Sequence, residues 1–286
     1  MRRIEIIVAS RCASRRATCE KSARNGEGQV TRKTYNAVLS ATRHIFLLWA
    51  CASTLAQSAE LPRTIEGKPE LSGIWQVLAP VDRDLRAHAA RADSPAHLGS
   101  VIGDKIPYQP WAAAQQKRNF EQRATADPQN RCFMPGVPRA NYTPLPFQIF
   151  QAWDQTTILY EYAHSVRRIY TNGTPHPAGP IGWFLGDSRG HWEGDTLVVD
   201  VVHLNDETWL DHAGNFHSEQ LHVVERYTLL DKDHLQYEAT LEDPKVFTRP
   251  WSIKVMLYRR VEPGIQLLDH ECYIFDYEKY YPVSDE

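Results

Sequence analysis

Basic residues are scarce in most of this 286-residue sequence, although the whole chain has 32 lysines and arginines against 35 acidic residues and a net charge of −3. Ten of the basic and three of the acidic residues lie in residues 1–59, which leaves 22 basic and 32 acidic side chains in residues 60–286. Nucleic-acid binding depends on clustered lysine and arginine, and the sequence has no basic stripe. The composition therefore argues against a nucleic-acid partner.

Long apolar runs are also missing, since no segment approaches the ~18 consecutive apolar residues that a transmembrane helix needs. The one apolar run near the start, residues 45–52, is shorter. It follows Arg32, Lys33 and Arg43, and small residues continue through Ala56 and Ala59. This layout is typical of a secretory signal peptide. It predicts that residues 1–59 are an upstream extension and signal peptide, and that the protein is periplasmic or secreted.

Few cysteines remain in the predicted mature chain, where only Cys132 and Cys272 are left. Two cysteines in an oxidising compartment most simply form a disulfide, and this one would close a loop of about 140 residues. Two separate buried thiols are the alternative. Neither cysteine belongs to a CxxC motif, so structural zinc and redox catalysis have no support.

Helices alternating with strands are absent, and the period-two alternation typical of strands dominates instead. We expect a first strand near Gly73 and further strands at residues 147–154, 156–171, 195–203, 219–230, 234–242, 251–261 and 265–276. Short turns separate most of them, which favours an antiparallel meander that closes, or nearly closes, into a barrel and so removes exposed edges. The predicted fold class is therefore mainly β, with residues 60–286 as a single domain.

Two segments interrupt this pattern. Residues 80–130 are predicted to be an insertion with one helix near residues 111–124. Residues 131–146 contain four prolines, which predicts an extended segment lying along the surface, because proline cannot donate a backbone hydrogen bond and disfavours helix before it.

Side-chain parity places ionisable groups on the inward faces of the predicted strands. Glu225, His203 and His164 share parity with apolar neighbours, as do Asp269 and Glu271 in the last strand. Buried charges need partners or water, so this pattern predicts a wet, aromatic-lined cavity inside the barrel. The alternative is that bulges shift the parity and return these side chains to solvent.

The loop at residues 203–218 concentrates carboxylates, imidazoles and a tryptophan. His217 and Asp211 could form an acid–base pair in which the carboxylate orients the imidazole. The alternative is a solvated loop whose Asp and Asn residues stabilise turns. Four histidines fall within twenty residues, but without the spacing of a known metal motif, so neither a metal nor a cofactor is predicted.

Several motifs resemble a family of exported bacterial proteins of uncharacterised function. The motifs include Gly186-Asp187-Ser188-x-Gly190-x-Trp192-Glu193-Gly194-Asp195-Thr196-Leu197-Val198-Val199-Asp200, Trp209-Leu210-Asp211, His217-Ser218-Glu219, Glu225-Arg226-Tyr227, Asp243-Pro244 and Pro250-Trp251. The resemblance assigns no activity, and the chain departs from the family after Cys272 and at His203. The start Gly73-Ile74-Trp75 resembles the Gly-x-Trp entry of lipocalin-type barrels.

Three functional hypotheses follow. In the first, the barrel binds a small, partly hydrophobic molecule, and His203 and Glu225 are its polar anchors. The aromatic rings that would stack on this molecule are those of Tyr162, Trp183 and Trp209, and Arg168 would supply one charge-assisted hydrogen bond. In the second, the same barrel is a cofactor-independent lyase, hydratase or isomerase in which His217 and Asp211 transfer protons and Glu225 is a further buried acid. In the third, the chain binds other proteins through residues 80–130.

Overall fold

A computed structural model describes residues 60–272 of the chain. The predicted signal peptide and upstream extension, and the end of the last predicted strand, lie outside the described residues. Among the residues described, no helix is long and apolar enough to cross a membrane.

Nine strands of the described chain form a closed barrel, which confirms the predicted fold class. The strands are β1 (Gly73–Val77), β2 (Phe147–Gln151), β3 (Gln155–Tyr160), β4 (Val166–Tyr170), β5 (Asp187–Glu193), β6 (Thr196–Val202), β7 (His222–Leu229), β8 (His234–Glu242) and β9 (Trp251–Arg259). Each strand pairs with the next in sequence, and β9 closes on β1 with Trp75 opposite Arg259. Lipocalins have eight up-and-down strands, so this barrel is larger by one.

Alternating burial explains why these strands form one core. On β8, Leu235, Tyr237, Ala239 and Leu241 are fully buried, while their neighbours face outward. Each large apolar side chain removed from water contributes about 1.5–3 kcal/mol. The predicted alternation in this strand is confirmed.

One seam of the barrel differs from the rest. All neighbouring strands are antiparallel except β4 and β5, which run parallel and share only the pairs Ile169 with Ser188 and Tyr170 with Arg189. The chain reaches this parallel position by a long crossover, residues 171–186. β5 was not among the strands predicted from the sequence, because this segment lacks the apolar alternation of the others.

The strand predicted at residues 156–171 is wrong as a single element. β3 ends at Tyr160 and β4 begins at Val166. Between them Ala163 and His164 adopt positive φ angles of 52° and 48°, so the chain turns there and His164 is exposed. The turn shifts the parity of everything that follows it, because a displacement by one residue exchanges the two faces of a strand.

The last predicted strand, at residues 265–276, is also not formed in its described part. Residues 265–269 have no regular secondary structure, and His270 makes only an isolated bridge with Tyr162. Asp269 and Glu271 are exposed rather than inward-facing. Without a strand to impose alternation, parity does not determine where these side chains point.

The helix predicted within the insertion is present as α1 (Pro110–Ala126). It packs against the loop that follows β6: Gln116 Nε2 donates to the Ala213 carbonyl at 2.9 Å and Asn119 Nδ2 to the Gly214 carbonyl at 3.2 Å. The contact requires glycine at position 214, because φ is +79° and an added Cβ would lie 2.5 Å from Asn119 Cβ.

The proline-rich segment does not lie along the surface as predicted. Residues 135–143 are all buried, and a short 3₁₀ helix, Arg139–Tyr142, occupies the interior. Asn141 reaches side chains of β3 and β7, and Tyr142 OH donates to the Leu210 carbonyl at 2.8 Å. Prolines limit this segment's own backbone pairing, so side-chain hydrogen bonds hold it in place.

The predicted disulfide between Cys132 and Cys272 is confirmed, with 5.4 Å between the Cα atoms. It joins the start of the proline-rich segment to the chain beyond β9. Closing a loop of 140 residues contributes up to about 5 kcal/mol in the chain-entropy model.

Candidate functional site

A buried ion pair crosses the barrel interior. Glu225 on β7 is completely buried, as parity predicted, and it pairs with Arg167 on β4, whose side chain is 2% exposed. Both guanidinium Nη atoms donate to the carboxylate. Removing two charges from water costs several kcal/mol for each ion, and good hydrogen-bond geometry is needed to offset that cost.

Further donors satisfy the remaining lone pairs of Glu225. Its Oε1 accepts from Asn141 Nδ2 at 2.8 Å, Tyr237 OH at 2.7 Å and Tyr227 OH at 3.2 Å. Tyr160 OH donates to Asn141 Oδ1 at 2.8 Å. Burial raises the pKa of Tyr160 to about 12 and also raises the pKa values of Tyr227 and Tyr237. These phenols are therefore neutral donors at neutral pH.

The predicted wet cavity is not among these tyrosines. Glu225 and Tyr237 have no exposed surface, and Asn141 and Tyr227 are each 1% exposed, so the described side chains around Glu225 leave no room for water beside them. Parity predicted that polar groups point inward but not that they hydrogen-bond to one another.

The parallel seam opens instead into a cleft of about 490 Å³. Only two residue pairs join β4 to β5, so the two strands separate over the rest of their length and leave a gap in the barrel wall. The cleft is lined by residues of β4, β5, the crossover and the proline-rich segment: Met134, Val166, Arg167, Arg168, Tyr170, Trp183, Phe184, Leu185, Gly186, Asp187 and Ser188. Two residues predicted to bind a ligand, Arg168 and Trp183, therefore lie in the same cleft.

Apolar and aromatic side chains form much of the cleft's surface. Trp183 is 43% exposed, an unusual solvent exposure for so large a side chain. Phe184 is held in an edge-on contact with Phe133, with ring centroids 5.4 Å apart. The aromatic wall is thus partly fixed by packing and partly open to a ligand.

The charges in the cleft favour an anion. Within residues 60–272, the exposed Arg168 has no hydrogen-bond or ion-pair partner for its guanidinium. Asp187 is already engaged: burial opposes its ionisation, but hydrogen bonds from Arg189 and His176 hold its pKa below the usual value. In the deep part of the cleft, the Arg167 Nε donates to Ser188 Oγ at 3.0 Å.

Arg168 does not face the barrel interior. Because of the turn after β3, the face of β4 that was predicted to point inward points outward. Arg167 is therefore the buried guanidinium and Arg168 the exposed one. The two neighbours have different roles: one neutralises Glu225, and the other remains available at the mouth of the cleft.

His203 also departs from its predicted inward position. β6 ends at Val202, and His203 has a positive φ of 60°, which breaks the alternation. Its Nε2 donates to the Pro177 carbonyl at 2.9 Å. It lines a neighbouring cavity of about 520 Å³ with His222 and Asp206, outside the cleft.

Tyr162 and Trp209 lie apart from Arg168 and Trp183. Tyr162 OH donates to the Gln129 carbonyl at 3.2 Å and lines a third cavity. Trp209 is half-buried in the loop after β6, where it makes an isolated bridge with Phe216. The five predicted ligand-binding residues are therefore divided among separate places.

His217 and Asp211 do not form the predicted pair. Both are buried, but His217 Nδ1 donates to the Ser218 carbonyl at 2.9 Å and its Nε2 accepts from Thr208 Oγ1 at 2.8 Å. Burial lowers the pKa of His217.

Asp211 has other partners. It accepts hydrogen bonds from the Leu85 amide at 2.8 Å and from the Asn215 amide at 3.1 Å. Burial, with a contribution from Asp84, raises its pKa to about 7. Asp211 and His217 each stabilise the loop rather than orient one another.

Histidine–aspartate pairs form elsewhere in the molecule. His212 Nδ1 lies 2.8 Å from Asp127 Oδ2. His176 lies between Asp187 (2.6 Å) and Asp200 (2.8 Å). Sequence reasoning missed both, since their members are 11 to 85 residues apart and share no local motif. Within the part of the chain that the structure describes, no group of three or more His, Cys, Asp or Glu side chains is arranged to hold a metal.

Comparison with known proteins adds no further constraint, because no family model, curated protein or solved structure matches this chain.

Proposed function

We propose that this protein binds a small, partly hydrophobic anion in the cleft at the β4–β5 seam. The observation that carries the proposal is that one cleft of about 490 Å³ is lined both by Arg168, whose guanidinium has no partner among residues 60–272, and by the exposed indole of Trp183. This volume is in the range typical of small-molecule sites, which are concave, largely apolar and contain a few polar anchors.

Each part of the cleft has a task in this proposal. Trp183 and Tyr170 offer ring faces or edges on which an aromatic or aliphatic body can pack. Arg168 donates charge-assisted hydrogen bonds to a carboxylate, sulfonate or phosphate group. Arg167 stays with Glu225 and keeps the deep wall rigid, so that the ligand meets a preorganised surface.

Export remains part of the proposal. The signal-like segment in residues 1–59 and the Cys132–Cys272 disulfide both support a periplasmic or extracellular setting. The enzyme hypothesis based on His217 and Asp211 is not carried forward, because each residue has other partners.

A fluorescent aromatic anion, 8-anilinonaphthalene-1-sulfonate, tests the site. We expect saturable binding to the full mature chain, and about tenfold weaker binding in Arg168→Gln, which loses one charge-assisted contact. Trp183→Ala should weaken binding comparably. The matched controls are Trp153→Ala and Arg249→Gln, two exposed side chains outside the cleft, and both should bind as the wild type does. Equal affinity in all four variants would refute the assignment.

A further inference from the structure

The third cavity, of about 310 Å³, lies beside the proline-rich segment and the loop after β6. It has no lining residue in common with the cleft at the β4–β5 seam. Its wall includes the His212–Asp127 pair, which has no part in the function proposed for that cleft.

Both carboxylates in this cavity accept hydrogen bonds from the same guanidinium, whose single positive charge they share. Arg139 donates to Asp127 through Nη1 at 2.9 Å and Nη2 at 2.8 Å, and to Asp82 through Nε at 2.6 Å. Burial would raise the pKa of Asp127, but hydrogen bonds from His212 and Arg139 outweigh it and hold that pKa below the usual value. Asp127 is therefore an ionised carboxylate, and it accepts a hydrogen bond from the Nδ1–H of His212.

The opposite nitrogen of His212 is free. Within residues 60–272 its Nε2 has no hydrogen-bond partner, and it is not among the buried atoms left without one. The side chain is 15% exposed and lines the cavity. The Asp127 contact fixes the ring, so Nε2 is the atom that meets whatever enters.

Two more basic side chains line the same space without partners for their polar groups. The guanidinium of Arg83 is exposed and makes no ion pair or hydrogen bond among the described residues. The His270 ring contacts Tyr162, with centroids 5.8 Å apart, but no side chain in that part of the chain hydrogen-bonds to it. The disulfide at Cys272 ties down the segment that carries His270.

Among residues 60–272, three nitrogen-bearing groups without hydrogen-bond partners thus line a cavity whose two carboxylates already bind Arg139. We propose that this cavity is a second ligand site, which binds a small oxyanion-bearing molecule between His212, Arg83 and His270. The shared chemistry is that of a carboxylate or a phosphate group, which suits the guanidinium of Arg83. His212 donates to the same group when both of its ring nitrogens carry a proton.

The experiment is nuclear magnetic resonance of the full mature chain with isotope-labelled histidine, titrated separately with sodium acetate and with inorganic phosphate. We expect the His212 and His270 ring signals to shift saturably with at least one of the two anions, and the tighter of the two identifies the oxyanion. Saturable shifts of these two rings support the site, and the absence of a saturable His212 shift with both anions would overturn it.

Arg83→Gln separates a binding role from a structural one. The Arg83 guanidinium makes no hydrogen bond or ion pair within residues 60–272, so the variant should fold normally and bind the anion about tenfold more weakly, the loss expected for one charge-assisted hydrogen bond. Arg249→Gln is the control and should bind as the wild type does. Arg168→Gln should also leave this titration unchanged, which distinguishes failure of this site from failure of the cleft. Unchanged affinity in Arg83→Gln would overturn the proposed anchor.

Discussion

Breaking the ion pair between Arg167 and Glu225 should be among the most damaging single changes in the barrel. Glu225→Gln preserves the size of the side chain and one acceptor oxygen, but it leaves the buried guanidinium without its counter-charge. Side-chain exposures of 2% and 0% mean that water cannot compensate. Removal of one partner from a buried pair costs about 3–5 kcal/mol, so we expect the free energy of unfolding to fall by that amount.

The matched control is Glu219→Gln. Glu219 pairs with Lys245 at 2.6 Å, yet both side chains are about half exposed. Such a surface pair contributes about 0–1 kcal/mol. Urea unfolding followed by circular dichroism, with the disulfide intact, gives both values under identical conditions.

A double variant tests whether the effect belongs to the pair. Arg167→Gln combined with Glu225→Gln removes both charges and should cost less than the sum of the two single changes, with a coupling above about 1 kcal/mol. The reasoning would be refuted if Glu225→Gln lost no more stability than Glu219→Gln, because that would mean the pair is effectively solvated.

Three further predictions concern other parts of the structure. Burial lowers the pKa of His217, so below about pH 6.5 this histidine binds a proton more readily in the unfolded chain than in the folded protein. The free energy of unfolding should therefore fall as the pH is lowered through that region, and it should fall less in His217→Gln, as measured by urea unfolding across pH. Replacing both Cys132 and Cys272 by alanine should lower stability by up to about 5 kcal/mol, measured by the same unfolding; a loss near zero would contradict the loop-closure argument. Gly214→Ala should cost about 1–3 kcal/mol more than Gly173→Ala, because both glycines have positive φ but only the first meets neighbouring atoms; equal melting temperatures would disprove the packing effect.

Regular alternation made much of the barrel predictable. The strand at residues 234–242 has four apolar residues on one face and polar residues on the other, and its bounds agree with β8. β5 was missed because Gly186, Arg189 and Gly190 give that segment no apolar face. Its burial depends on partners that the local sequence does not reveal.

The candidate site was only partly predictable for a related reason. Side-chain parity placed Glu225 correctly, because no irregularity interrupts β7. The positive φ angles of Ala163 and His164 reversed the faces of the next strand and exchanged Arg167 with Arg168. Local periodicity does not detect a one-residue shift of this kind unless glycine or proline marks it.

Long-range pairing accounts for the remaining differences. His212 and Asp127 are 85 residues apart and meet only because the proline-rich segment folds into the barrel. Four prolines indicated an extended surface segment, but side-chain hydrogen bonds from Asn141 and Tyr142 hold it inside. Composition describes how a segment can bend, and tertiary contacts decide where it lies.

Native mass spectrometry of the protein purified from its own source tests the central claim most directly. The account predicts a co-purifying small anion on the wild type and on Trp153→Ala, and its loss from the double variant Arg168→Gln with Trp183→Ala. An adduct that persists in the double variant, or an unliganded wild type that also fails to bind the aromatic sulfonate, would contradict a ligand site at the β4–β5 seam.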